Sequence, residues 1–162
     1  MDLKALPAYL ETLQKAAASA AAPAANAMAH GVQDRIVNVT LRETAHPPYT
    51  FYRATRGRPP AYASGNLARS VVMTSAYGAI RATASVGSHL VYSAIQEWGG
   101  WTEPNNSPFM HWRNPRPWWM KRVTIPEHPY FRPSVEACIR DGSLTRSAMD
   151  AFYARVSPLF RG

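Results

Sequence analysis

Apolar positions near the start of the chain recur every three or four residues. Leu3, Leu6, Leu10, Leu13, Ala17, Ala20, Ala24, Met28, Val32, Ile36 and Val39 form one stripe, the spacing of an amphipathic helix. This predicts a helix over residues 3–40 that packs on the protein's own sheet, with a subunit interface as the alternative. Pro23 removes one hydrogen bond and crowds Ser19, so a kink or break is expected near Ala20–Ala22.

The pattern then changes. Residues 41–64 hold His46-Pro47-Pro48, Arg56-Gly57-Arg58 and Pro59-Pro60 among Tyr49, Phe51, Tyr52 and Tyr62. Proline excludes regular helix and central strand, so an extended arm is expected here. Asn66–Arg69 can make one helical turn. Val71–Thr74 reads as a strand, Tyr77-Gly78 as a turn and Ala79–Val86 as the returning strand. In the return, Ile80, Ala82, Ala84 and Val86 alternate with Ala79, Arg81, Thr83 and Ser85, the period of a half-buried strand. Gly87-Ser88 closes this hairpin.

Tyr92, Ile95 and Trp98 then line one side of a short helix, which Gly99 and Gly100 end. Residues 99–117 hold Pro104, Pro108, Pro115 and Pro117 with Trp101, Phe109 and Trp112, and predict a second long loop. Trp118–Ile125 alternates as a single strand, broken by Pro126-Glu127-His128-Pro129. A helix is expected to follow, with Pro133 at its first position and Val135, Cys138 and Ile139 on its apolar side. Ser143 or Thr145 can cap a last helix that buries Met149, Phe152, Tyr153 and Val156 and stops at Pro158.

Charge changes the picture outside these elements. The chain has 162 residues, enough for one domain, and a formal charge of +8. All of its 18 basic side chains except Lys4, Lys15 and Lys121 are Arg. The guanidinium fork suits fixed carboxylate and phosphate contacts, so an acidic protein, DNA or an anionic membrane would each match the sign. Arg53, Arg56 and Arg58 among aromatics are also what a single-stranded nucleic-acid groove uses, through stacking and phosphate contact. A loop that docks on a neighbouring protein needs the same residues.

No run approaches the roughly 20 apolar residues of a membrane span. The start Met-Asp-Leu-Lys is not basic, and the Ala-rich run from Ala16 to Ala29 is too weakly apolar for a signal peptide. Cys138 is the single cysteine, which excludes an internal disulfide framework and suits a reducing compartment. On the apolar side of a helix, it reads as a buried, inert thiol.

Little chemistry is foreseen. The histidines are His30, His46, His89, His111 and His128, and none pair at the spacing of a helical zinc site. Glu127-His128 with His111 is the nearest approach to a metal set. Phosphate-binding glycine loops and nucleophile elbows are absent from the sequence. Glu97 and Glu103 could act as acid and base only if buried. The expectation is therefore no catalytic residue, no metal and no cofactor.

Three segments, in order, resemble a known family. Gly65-Asn66-Leu67-Ala68-Arg69-Ser70-Val71 resembles the "Thr-Gly-x-Leu-x-x-Ser-Ile" lead into the first strand of head–tail joining and tail-completion proteins of long-tailed phages. Tyr92-Ser93-Ala94-Ile95-Gln96-Glu97-Trp98-Gly99 resembles their "Tyr-Ala-x-x-x-Glu-Phe-Gly" helix, with Trp98 in place of the usual Phe. Pro126-Glu127-His128-Pro129-Tyr130-Phe131-Arg132-Pro133-Ser134 resembles their "Pro-x-x-Pro-Phe-x-x-Pro-Ala" lead into the C-terminal helix. The likeness spans roughly residues 3 to 140. The arm and the second loop look longer and more aromatic than in that family.

The resemblance implies an α+β subunit: a twisted, mostly antiparallel sheet packed by a long N-terminal helix, a short central helix and a C-terminal helix. It also implies a ring of copies, commonly six, at the head–tail junction of a virion, built in the host cytoplasm. The neighbours would be head-connector and tail-tube proteins, with non-specific contact to DNA in the channel. The expected contact residues are Tyr49, Phe51, Tyr52, Arg53, Arg56 and Arg58 on the arm, and Trp101, Phe109, Trp112 and Arg113 on the loop. A basic nucleic-acid-binding protein is the alternative.

Overall fold

The computed structural model describes residues 6–45, 54–61, 64–78, 81–108, 110–112 and 118–160, with backbone alone at 110–112, 118–119 and 159–160. The architecture is α+β: a long N-terminal helix, short central helices, a C-terminal helical pair and small antiparallel sheets.

Helix α1 (Leu6–Asp34) follows the predicted stripe and is about 44 Å long at the usual rise per residue. It runs through Pro23 without the expected break. A π-helical turn, Arg35–Thr40, and a 3-10 turn, Leu41–Thr44, then carry the chain on. These changes of pitch turn Ile36, Thr40, Leu41 and Thr44 inward. Ile36, Leu41 and Val32 join Ala68, Val71 and Tyr130 in the main core, each large aliphatic side chain contributing roughly 1.5–3 kcal/mol.

Helix α2 (Asn66–Ser70) leads into strand β1 (Val71–Tyr77), which pairs antiparallel with β2 (Ala82–Ser88). Strand β1 runs longer than the sequence pattern predicts and β2 continues to Ser88, while Ala79 and Ile80 of the predicted return strand lie outside the described residues; the alternation holds. Val71, Met73, Ser75, Ala82, Ala84 and Val86 are the less exposed positions, while Val72, Thr74, Thr83 and Ser85 are open. The ribbon lies along the second half of α1. Gln33 Nε2 donates to the Val71 carbonyl at 2.9 Å, and Asn26 bonds both Ser75 Oγ (2.8 Å) and the Tyr77 hydroxyl (2.6 Å). Helix α5 (Ser143–Val156) also packs on α1.

Four expectations need correction. The segment 99–117 is not all loop, because Gly100–Thr102 forms β3 and Met110–Trp112 forms β4. Trp118–Ile125 is not one strand: β5 (Trp118–Met120) pairs with β4, and β6 (Val123–Ile125) pairs with β3. A bend at Lys121-Arg122 sends the halves to different partners. Among the described residues the strands consequently form three two-stranded ribbons rather than one sheet. Residues 41–64 are also not wholly an arm, since 41–44 is helical and Pro59 and Pro60 are buried, with Thr44 Oγ1 donating to the Pro60 carbonyl at 2.6 Å.

Side-chain burial departs from the pattern as well. Helix α3 (Ser93–Trp98) leaves Trp98 65% and Tyr92 43% exposed, and buries Glu97 instead. Helix α4 (Phe131–Arg140) starts two residues before Pro133 and buries Ser134 and Cys138, while Ile139 faces solvent. In α5, Val156 is buried, but Met149 and Tyr153 are exposed. Its capping position is held by Gly142 rather than by Ser143 or Thr145, and the Asp141 carboxylate accepts the Ser143 N–H at 2.9 Å.

Candidate assembly surface

Helix α4 begins without a side-chain cap of its own, because Tyr130 stands at the capping position. Its first N–H groups would be orphaned in the interior. Glu97 supplies what is missing. One carboxylate oxygen accepts from Tyr130 N and Phe131 N, and the other from Arg132 N, each at 2.8 Å. A negative charge at a helix N-terminus also complements the helix dipole. This is a charge whose burial is matched by three charge-assisted hydrogen bonds.

The surrounding chain is fitted to this junction. Gly99 has a φ of 68°, and a Cβ there would lie 2.9 Å from Glu127 N and 3.1 Å from the Ile125 carbonyl oxygen. Only glycine combines that backbone with that approach. His128 N donates to the Gln96 carbonyl at 2.6 Å, and Gly57 N donates to the Glu127 carbonyl at 3.0 Å. The His128 ring nitrogen Nδ1 lies 3.1 Å from the Arg58 carbonyl oxygen. Below, Thr40 Oγ1 and Ser134 Oγ are 2.6 Å apart, and Ser134 Oγ donates to the Tyr130 carbonyl at 2.6 Å. Burial raises the Tyr130 hydroxyl above its ordinary pKa of 10.0, against hydrogen bonds from Ser93 and Ser88 that lower it.

Two exposed aromatic–guanidinium pairs stand near the junction in sequence. The Arg132 guanidinium sits 5.0 Å from the centre of the Trp98 ring, and that of Arg122 sits 4.3 Å from the Trp101 ring. Glu103 fixes Arg122 through Nε at 2.8 Å. Trp101 is 55% exposed. Stacking holds each Arg in a set orientation while leaving ring edges open. Trp, Tyr and Arg are the side chains that dominate protein–protein binding energy.

The sequence-predicted contact residues are only partly placed. Arg56, Arg58 and Trp101 are exposed. Tyr49, Phe51, Tyr52, Arg53, Phe109 and Arg113 lie outside the described residues, and Trp112 is described as backbone of β4. The structure adds Trp98, Arg122 and Arg132 to Trp101. The arm's last part, residues 54–61, turns back against α3 and β6 and lines a cavity of about 340 Å³ with Leu41, Tyr92, Gln96 and His128.

Comparison with protein-family models, with curated proteins and with solved structures finds no match to this chain. Its surfaces must therefore be read directly. Among the described residues, no three His, Cys, Asp or Glu side chains gather as a metal-holding group. No helix among them is long and apolar enough to cross a membrane. A further open surface is the start of α1: from Leu6 to Ser19 no residue is buried, and Leu6, Tyr9 and Leu10 are exposed.

Proposed function

We propose that this chain is a structural virion subunit that forms a ring at the head–tail junction, or at the head-proximal end of the tail tube, of a long-tailed phage. The observation that carries the reading is the Glu97 junction. Two of the three segments that resemble the tail-completion family are far apart in sequence, yet they form one device. The Glu of Tyr92–Gly99 caps the helix that Pro126–Ser134 begins, and Gly99 gives the room for it. A shared physical purpose for the Glu, the Gly and the proline-rich lead makes chance likeness a poorer account of them.

The open surfaces support the same reading. Two exposed Trp–Arg pairs and an exposed apolar helix start suit contacts with sister copies and with stacked connector or tail-tube proteins. The test is deletion of residues 47–53 in the producing phage, which spares the packed residues 54–61 with buried Pro59 and Pro60. The deletion leaves a folded subunit but no joined heads and tails; normal infectious particles would reject the arm's part in assembly.

A nucleic-acid-binding role is the second reading, favoured by the +8 charge and the exposed Arg56 and Arg58. It requires affinity that falls steeply with salt. Absence of DNA binding at low salt removes it.

A further inference from the structure

The β1–β2 ribbon is two-stranded, so each strand presents an outer edge. Gly78 N donates to the Arg81 carbonyl at 2.8 Å, next in register after Tyr77 and Ala82. Bonded pairs alternate along an antiparallel ladder. The facing pairs Ala76–Thr83, Thr74–Ser85 and Val72–Gly87 therefore exchange hydrogen bonds. Met73 and Ser75 on β1, and Ala82, Ala84 and Val86 on β2, direct their N–H and C=O groups away from the ribbon. The Gln33 side chain on the outward carbonyl of Val71 fits this phase. Among the described residues, no third strand pairs with either edge.

Natural sheets guard such edges with charge, proline or a bulge. Here none is present: neither strand contains a charged residue or a proline. From Ser70 to Gln96 the only Asp, Glu, Lys or Arg is Arg81. The open face of Val72, Thr74, Ala76, Thr83, Ser85 and Gly87 is likewise neutral. In a chain of net charge +8, this is where two copies approach without like-charge repulsion. Depletion of charge is also the mark of an interface core.

We propose that these edges are the seam between copies, with the β2 edge of one chain pairing antiparallel with the β1 edge of a second copy. Equal strands of seven residues match end to end. Such a head-to-tail contact repeats, and closes into a ring when the rotation permits. The inference rests on the assembly reading above only for the closure of the ring; the pairing itself follows from the ribbon.

Ala84→Pro tests it. Proline removes an outward N–H and leaves the bonds between β1 and β2 intact, the one placement an edge strand tolerates. Sedimentation of the purified chain from micromolar to hundreds of micromolar gives a self-associating wild type, and an Ala84→Pro variant with unchanged circular dichroism that associates at least about tenfold more weakly. A wild type that stays monomeric throughout, or a folded Ala84→Pro variant that associates equally well, overturns the seam. If that variant fails to fold, hydrogen exchange on the wild type decides. Amides of Met73, Ser75, Ala84 and Val86 gain protection as concentration rises, while those of Val72 and Thr74 change little. Association with unprotected edges removes the seam but leaves ring formation standing. Edges protected only by a different protein also overturn pairing between copies.

Discussion

The Glu97 junction and the β1–β2 ribbon are opposites. The junction buries a full charge and satisfies it three times over, from Tyr130, Phe131 and Arg132. The ribbon has no charge on either strand, and among the described residues no third strand pairs with either of its edges. A buried charge with all its partners in its own chain belongs to folding. A neutral surface flanked by strand edges belongs to association. The division predicts that substitutions at the first act on stability, and that those at open surfaces act on assembly.

The strongest way to break the contrast is Glu97→Ala. It strands the buried Tyr130 N–H, at about 1–3 kcal/mol, and the part-buried N–H groups of Phe131 and Arg132, which cost less each, so denaturant melts are expected to lose roughly 3–5 kcal/mol. Glu97→Gln keeps one acceptor and is expected to lose less, about 1–3 kcal/mol. Stability within about 0.5 kcal/mol of wild type for Glu97→Ala would make the junction ornamental.

Gly99→Ala comes next. The left-handed backbone alone costs about 1–3 kcal/mol for a residue with a Cβ, and contact with the 125–127 backbone adds to it. An unchanged melting temperature would mean that α3 and the 126–133 segment can part freely.

Trp101→Ala sharpens the other side. Loss of an exposed cation–π contact costs about 0.5–1 kcal/mol, so the monomer melts nearly as before. The expected loss is in particle assembly, measured as joined heads and tails in complementation. A large drop in stability with assembly intact would move Trp101 from the assembly surface to the fold.

The smallest expected effect is of pH. Burial holds the proton on Tyr130, raising its pKa in the fold above 10.0. The folded state then binds that proton more tightly than the unfolded chain. Its contribution is complete below the unfolded value and is lost as pH rises through the folded one. Denaturant midpoints of the wild type should fall more steeply above about pH 10 than those of Tyr130→Phe.

Much of the scaffold was legible in the sequence because it repeats. The stripe from Leu6 to Val32 spans many turns, so Pro23 and the weak apolarity of alanine do not hide it. The ribbon showed through alternation in Ala82–Val86. Three-residue strands such as β3 and β4 are too short for any period to register. In α3 the local pattern is silent on burial: Glu97 falls off the side lined by Tyr92, Ile95 and Trp98, yet it is the residue that is buried. What decides this is the uncapped start of α4, some thirty residues later. The absence of Ser, Thr, Asp or Asn before Phe131 was a visible hint that α4 needed a borrowed cap, but nothing local named the lender. The sequence pattern places Trp98 on one side with Tyr92 and Ile95, and gives no sign of its stacking with Arg132.

The most direct test of the assembly account is the mass and shape of the purified wild-type chain. Light scattering combined with negative-stain imaging should give closed rings whose mass is a whole multiple of 18.0 kDa. A chain that remains a single 18.0 kDa particle at every concentration, with no ring in any image, would contradict it.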